Sequence, residues 1–472
     1  MALRKRKIYE FEIIDLAYGG KGLAKPDGFP VFIDRVFPGD KVLAKIVKKK
    51  KSFAEARLIE ILEKSEKREK ARCEYASWCG GCKWQELAYT TQLEYKKKHV
   101  KDSLKHIAGL TDIKVNDVKA AENIYNFRNK MEFSCADKRW LLPSELNNPE
   151  IKKDFGLGLH VPGTFDRVID LKRCEIQPCL GNKIMEDVRA FIKDSGLSAY
   201  GLRSHEGFWR FLMLRHSHYF DKWMVNIVTT GENDKVLMDL ASKLCEKYPE
   251  IDSIVNNVTS RKAGVATGEY EKLVSGRSYI KEKLGNFIFK ISANSFFQTN
   301  TRGAENLYSI VSKYADLTGR QRVLDLYSGT GTIPIWLSCN AREIIGIEIV
   351  QSAVEDARKN AELNNISNIK FLTGDIKDML PILNGPARES KAGKIDVIII
   401  DPPRAGMHKD VVAGVLKLLP EKIVYVSCNP ATLARDLELL KNRYHILEVQ
   451  PVDMFPHTFH IESVAELSLR KG

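Results

Sequence analysis

Two short segments near the end of the chain carry reactive groups. Val426-Ser427-Cys428-Asn429-Pro430 closes an apolar run with a thiol, and Phe455-Pro456-His457-Thr458-Phe459-His460-Ile461-Glu462 gathers two imidazoles and a carboxylate. A cysteine is more often a small buried hydrophobe than a nucleophile. This one falls at a strand end, between Ser and Asn-Pro, where α/β proteins place their ligands. A thiolate there can add to an electron-poor centre, and a nearby carboxylate can remove a proton afterwards, which is covalent catalysis followed by general base catalysis. Zinc competes for His457, His460 and Glu462. These three lack a fourth nearby ligand and would serve only a catalytic metal, so Glu462, at the start of a final strand, is read as the base.

A second constellation precedes the first. Asp325-Leu326-Tyr327-Ser328-Gly329-Thr330-Gly331-Thr332 follows a short apolar strand and opens a helix. Its glycines let the backbone approach a ligand closely. Glu348 ends the next strand, where a carboxylate can accept both hydroxyls of a ribose, and Asp375 ends the third, in reach of an adenine amine. Ile398-Ile399-Ile400-Asp401-Pro402-Pro403-Arg404 is a buried strand ending in a carboxylate over the same cleft, although a capping Asp at a turn would read alike. A dinucleotide is the obvious rival ligand. Its Gly-x-Gly-x-x-Gly/Ala fingerprint needs a small third residue, and that position here is Pro334. The loop also sets Asp325 beside the ligand, which suits a cationic sulfonium and its amino group better than a pyrophosphate. S-adenosylmethionine (SAM) is therefore expected rather than NAD.

These parts fit one reaction. Carbon 5 of uracil is a poor nucleophile until a thiolate adds at carbon 6 and turns the ring into an enolate. At this point the chain resembles the RNA 5-methyluridine methyltransferases, on Ser427-Cys428-Asn429-Pro430, Asp401-Pro402-Pro403-Arg404, His460-Ile461-Glu462, Ser295-Phe296-Phe297-Gln298 and Asp325-Leu326-Tyr327-Ser328-Gly329, which occur in the family's order. The resemblance implies Cys428 as nucleophile, Glu462 as base, and Gln298, Tyr327, Thr332, Glu348, Asp375 and Asp401 around SAM. Phe459 stands where a smaller residue is frequent, and Thr332 where Asn is often found; both bear on substrate fit.

Cys73, Cys79 and Cys82, spaced by five and two residues beside Trp78 and Gly80-Gly81, read as metal ligands. The fourth ligand must come from afar, with Cys174 and Cys179 as candidates, and zinc or a [4Fe–4S] cluster would accept four thiolates. The resemblance implies a [4Fe–4S] cluster on Cys73, Cys79, Cys82 and Cys174. A radical-SAM enzyme also pairs SAM with a cluster. Its usual first cysteine spacing is shorter than the five residues found here, and a fourth Cys would close the cluster, so a structural cluster is expected.

The elements that must position these groups fall into three expected units. Residues 1–62 alternate with period two, as in Tyr9, Phe11 and Ile13 or Val42, Ala44 and Ile46. Turns at Gly19-Gly20, Pro26-Asp27-Gly28 and Pro38-Gly39-Asp40 predict a small barrel of four or five strands. That unit resembles a TRAM domain, an OB-like RNA-binding module. Residues 63–293, opening with a short helix or linker over 63–72, form the cysteine segment and a mixed α+β middle domain. Residues 294–472 alternate strand and helix, predicting an α/β, Rossmann-like methyltransferase domain.

A formal net charge of +13 points to a polyanionic partner. Lys48–Lys51 is either a solvated hairpin tip or an RNA contact. Phe127-Arg128-Asn129-Lys130 and Gly207-Phe208-Trp209-Arg210 mix aromatic and basic residues as single-strand binders do, or pack inward as amphipathic strands; the resemblance makes Arg128 RNA-facing. Phe296 or Phe297 is expected to face the extruded base. No run near Met1–Glu12 has signal-peptide length, and no stretch nears the roughly 20 apolar residues of a membrane span. The expectation is a cytoplasmic monomer acting on RNA, not DNA or a membrane. The barrel and cluster together resemble the branch acting on 23S rRNA. A tRNA substrate, or a non-catalytic RNA-binding assembly factor, is the alternative.

Overall fold

The computed structural model describes residues 3–262, 264–383 and 393–471. Its first sheet has six strands, ordered Ile8–Glu12, Lys41–Lys49, Ala54–Glu63, Val31–Ile33, Gly22–Ala24 and Asp15–Leu16. Alternation explains its core: Phe11, Ile13, Val42, Ala44 and Ile46 point inward, while Glu10, Glu12 and Lys45 face out or lie half-buried. The lysine run forms the hairpin tip. Lys48 pairs with Glu55 at 3.0 Å and the Lys49 ammonium donates to the Leu3 carbonyl, whereas Lys50 and Lys51 stand exposed. Residues 64–72 form an irregular linker rather than a helix, pinned where Arg68 grips the fully buried Asp40 at 2.8 Å.

The middle sheet has eight strands, ordered Tyr270–Gly276, Ile251–Val258, Lys222–Thr229, Trp209–Ser217, Lys130–Ala136, Gly156–His160, Val168–Asp170 and Arg139–Trp140. Helices Cys179–Asp194 and Asp234–Lys247 bury Ile184, Val188, Leu240 and Leu244 in its core. Trp209 and Arg210 lie inside, with the Arg210 guanidinium over the Tyr200 ring and on the Thr259 carbonyl. Gly207-Phe208-Trp209-Arg210 is therefore an inward-packing strand start, which removes Trp209 and Arg210 as RNA contacts.

The third large sheet runs Ile369–Thr373, Glu343–Glu348, Arg322–Leu326, Val397–Ile400, Lys422–Ser427, Glu462–Leu469, Tyr444–Val452 and Lys114–Val115. The first five strands are parallel, and Glu462–Leu469 inserts antiparallel beside Lys422–Ser427. This is a Rossmann-like α/β sheet. Val323, Ile399, Val424 and Val426 pack on one face, and Leu324, Ile398, Ile400 and Ile423 on the other. Burial on both sides is why these strands read as continuous apolar runs instead of alternating.

The core of this sheet reaches beyond residue 294. Helix Tyr89–Ala108 and strand Lys114–Val115 contribute Val100, Leu104, Ala108 and Val115 to one face. The hairpin Tyr279–Leu284 and Phe287–Ser292 adds Ile280, Leu284, Phe289 and Ile291 to the other. Among the described residues no helix is long and apolar enough to cross a membrane.

Candidate active site

The carboxyl ends of the parallel strands lie along one edge of the sheet. The fourth and fifth of these strands, Val397–Ile400 and Lys422–Ser427, are hydrogen-bonded neighbours, so the loops carrying Asp401 and Cys428 emerge side by side. Asn429 fastens them together. Its side-chain amide donates to the Arg404 carbonyl at 3.1 Å, while its oxygen caps helix Pro430–Leu440 by accepting from the Ala431 N–H at 3.1 Å. Asn-Pro is thus a cap followed by a proline in the first turn, the arrangement that starts a helix sharply. Cys428 is left half-buried just before it.

Glu462 begins the antiparallel strand beside Cys428 and is buried. Burial, then the negative Asp401, push its carboxyl well above the ordinary range, with Arg404 opposing. Burial also raises Asp401 to about 6. The Cys428 thiol is pushed up to about 11 by burial and by the charges of Glu462 and Asp401, while Arg404 favours the thiolate. Thiol, two carboxyls and one guanidinium thus act on one another in a single pocket, as perturbed groups at functional sites do.

Of the residues expected around SAM, Tyr327, Thr332, Glu348, Asp375 and Asp401 lie at or after the carboxyl ends of these strands, and Gln298 precedes helix Thr301–Ala315. Both carboxylate oxygens of Asp325 are buried without a hydrogen-bond partner, and burial together with Asp401 and Glu348 raises that carboxyl strongly. An unpaired buried carboxyl of this kind fits a cationic ligand group, whose charge would favour the carboxylate form. Glu348 accepts from the Gly329 and Val350 N–H groups at 3.1 and 2.9 Å, which holds it at the end of its strand. Gly331 has φ +78°, and a Cβ there would stand 2.7 Å from the Phe371 ring, so only glycine closes the loop. Thr332 shares a 2.9 Å hydrogen bond with the buried Tyr308 hydroxyl. Tyr327 takes a left-handed φ of 67°, and burial raises its phenol to about 12, with Asp375 among the charges acting on it. Asp375 is held below the usual carboxylate range by Lys377, 3.0 Å away. Gln298 joins through its loop: the Phe296 carbonyl accepts from Thr330 at 3.1 Å, and the Gln298 carbonyl accepts from Asn129 at 3.0 Å.

Phe296 is 70% exposed and Phe297 is 3% exposed, packed on Phe289. Only Phe296 can meet an extruded base. Sequence reasoning missed Tyr308, whose hydroxyl feels Asp401, Asp325 and Glu462. It sits mid-helix with nothing in its neighbours to mark it.

His457 is buried on Tyr125, with its ring nitrogen 3.3 Å from the Gln92 amide, and His460 stacks on Phe459 at 4.2 Å. Among the described residues no group of three or more His, Cys, Asp or Glu is arranged to hold a metal ion. That finding covers these histidines and the four cysteines alike. Cys73, Cys79, Cys82 and Cys174 nevertheless face one another: burial foremost, then the other thiols, push Cys79 and Cys82 up, and Cys73 likewise feels Cys174. Cys179 is exposed on its helix. Arg128 is half-buried, donates from Nε to the Lys130 carbonyl at 2.9 Å, and feels Cys174 and Cys82.

A family model described as tRNA (Uracil-5-)-methyltransferase matches residues 257–470. An uncharacterised RNA methyltransferase of Chlorobaculum tepidum is 45% identical over 468 residues, covering 98% of this chain and 96% of its own. Another, from Bacteroides thetaiotaomicron, is 40% identical and covers 96% of this chain and all of its own. Among solved structures, the Pyrococcus abyssi tRNA (uracil-54, C5)-methyltransferase in complex with S-adenosyl-L-homocysteine superposes with a TM-score of 0.75 at 30% identity, over 97% of this chain and 100% of that one. With its strand-end thiol beside a buried carboxylate in the same cleft, the chain belongs to the RNA uracil-C5 methyltransferase family.

Proposed function

We propose that the protein methylates carbon 5 of a uridine in RNA through a covalent adduct on Cys428. The observation that carries this reading is the shared pocket of Cys428, Glu462, Asp401 and Arg404 at the carboxyl ends of adjacent strands. SAM, when bound, supplies the methyl group as an electrophile. Gln298, Tyr327, Thr332, Glu348, Asp375 and Asp401 would line its site, with Glu348 on the ribose hydroxyls, Asp375 toward the adenine amine, and the unpaired Asp325 facing its ammonium group. The Cys428 thiolate adds to carbon 6, forming the S–C bond and moving the ring π electrons toward the carbon 4 oxygen. Carbon 5 of that enolate would take the methyl group as its bond to the sulfonium sulfur breaks, the bonding pair staying on that sulfur. Glu462, which must enter this step as the carboxylate that Arg404 favours, then removes the carbon 5 proton, the double bond re-forms, and the thiolate is expelled. The target uracil must leave its stack for this contact, and the exposed Phe296 offers a face to receive it.

We favour 23S rRNA as the substrate, on the resemblance of barrel and cysteines together. The full-length likeness to a tRNA-modifying enzyme supports tRNA as a second reading, so the order of units alone does not separate the two. The cysteines remain a candidate [4Fe–4S] site. Cys73, Cys79, Cys82 and Cys174 would hold the cluster through four thiolates, and the influence of these thiols on one another supports that reading.

Tritium release from 5-tritiated uridine in rRNA and tRNA transcripts tests the proposal. Cys428→Ala should abolish release, and Glu462→Gln should trap a protein–RNA adduct that survives denaturation. Release persisting in Cys428→Ala ends this mechanism; failure of the intact protein on both RNAs returns the chain to a binding factor.

A further inference from the structure

We infer that the N-terminal barrel completes the active site with Tyr18, whose hydroxyl donates a hydrogen bond to a carbonyl oxygen of the target uracil; this rests on the Cys428 reading above. The turn between strands Asp15–Leu16 and Gly22–Ala24 is closed by the Ala17 N–H on the Lys21 carbonyl at 2.8 Å and the Gly20 N–H on the Ala17 carbonyl at 3.0 Å. It presses against the loop that leads to Glu462. A Cβ on Gly20, at φ +86°, would stand 3.1 Å from the Phe459 ring and 3.3 Å from Trp84 Nε1. Tyr18 meets Phe459 edge to face at 5.8 Å and His99 at 5.9 Å. Leu16, Phe37, Trp84, Leu87 and Tyr95 form one apolar cluster with Phe459 packed on it, so barrel and catalytic loop share a core. Two polar contacts fix the turn: His99 Nε2 lies 2.9 Å from the Leu16 carbonyl, and Lys98 pairs with Asp15 at 2.8 Å.

Tyr18 is thus held by its ring while its hydroxyl has no hydrogen-bond partner among the described residues. The residue is 38% exposed. Its hydroxyl feels Cys428, Glu462 and Arg404, and burial, foremost, raises it to about 12. It is therefore a neutral O–H donor at any working pH, beside the thiol that must meet carbon 6. Uracil offers two carbonyl acceptors there. A bond to the carbonyl that gathers charge as the thiolate adds would strengthen toward the transition state. The signal was absent from the sequence because Tyr18 lies 410 positions before Cys428, in a unit expected only to hold RNA.

The test is Tyr18→Phe in the full-length protein, assayed by tritium release beside Cys428→Ala. The ring packing survives this change, so the melting temperature and the affinity for SAM should stay at wild-type values. The rate constant kcat should fall about tenfold, the worth of one neutral hydrogen bond, with a smaller change in KM for RNA. Wild-type kcat in Tyr18→Phe, with Cys428→Ala inactive, overturns the Tyr18 assignment and leaves the covalent mechanism standing. A matching loss of SAM affinity or melting temperature also overturns it, because the residue would then act only by packing. Turnover by Cys428→Ala overturns the mechanism itself, whatever Tyr18→Phe does.

Discussion

A thiol held at about 11 is mostly protonated at neutral pH. Its thiolate fraction, and hence its alkylation rate, should climb nearly tenfold per pH unit through neutrality and above. The peptide carrying Cys428, followed by mass spectrometry during iodoacetamide treatment, reads this directly, apart from the exposed Cys179 and Cys339. A cation lodged beside Asp325 should pull the thiol down. Saturating SAM should therefore speed alkylation of that peptide at pH 7.5 relative to S-adenosylhomocysteine, which occupies the same site without the sulfonium charge. Equal rates would place the methyl donor too far from Cys428 for the proposed transfer. Most of these residues were legible in the sequence because strand ends aim side chains at the cleft: Asp401, Cys428, Glu348 and Asp375 each close an apolar run. Tyr308 and Tyr18 were not, since a tyrosine on a helix face or a barrel turn carries no local mark of the site it points into.

The long antiparallel return to Glu462 depends on an element far upstream. Helix Tyr89–Ala108 carries Lys96, whose fully buried ammonium donates to Asp453 at 2.6 Å and to the Phe455 carbonyl at 3.0 Å. Tyr89 donates to the other Asp453 oxygen at 2.9 Å, and the Phe455 N–H returns a bond at 3.0 Å. Lys96→Met would strand a buried carboxylate, a loss of about 3 kcal/mol, measurable by urea denaturation. Adding Asp453→Asn should recover a good part of the loss, and a double variant no more stable than Lys96→Met would mean that the unpaired carboxylate is not the cause. The strands of this sheet were readable to within a residue or two, from Arg322–Leu326 to Lys422–Ser427, because burial on both faces leaves unbroken apolar runs. The helix at 89–108 was invisible as part of it: its partner lies over 350 residues away, as in the Lys96–Asp453 pair, and local pattern says nothing about such a pairing.

At the scale of the whole molecule, Cys73, Cys79 and Cys82 sit in the segment between the barrel and helix Tyr89–Ala108, while Cys174 follows the middle-sheet strand Val168–Asp170. Linking them joins the linker to the middle domain. Backbone donors meet three of the thiols: the Tyr75 N–H reaches Cys73 Sγ and the Gly81 N–H reaches Cys79 Sγ, each at 3.4 Å, and the Ile176 and Gln177 backbones serve Cys174. Such donors stabilise thiolate, yet burial raises all four thiols when no cation is present. A cationic core between them would resolve that conflict, and its loss should be felt as loosening between linker and middle sheet. Protein purified without oxygen should carry about four irons per chain with visible absorption from sulfur-to-iron charge transfer. Cys174→Ser should remove most of that iron and lower the melting temperature, while leaving Cys428 alkylation unchanged, because the site lies outside the catalytic pocket. Zinc without visible absorption would replace the cluster with a single-ion site, and a wild-type preparation with neither metal would leave the four thiols as packing alone.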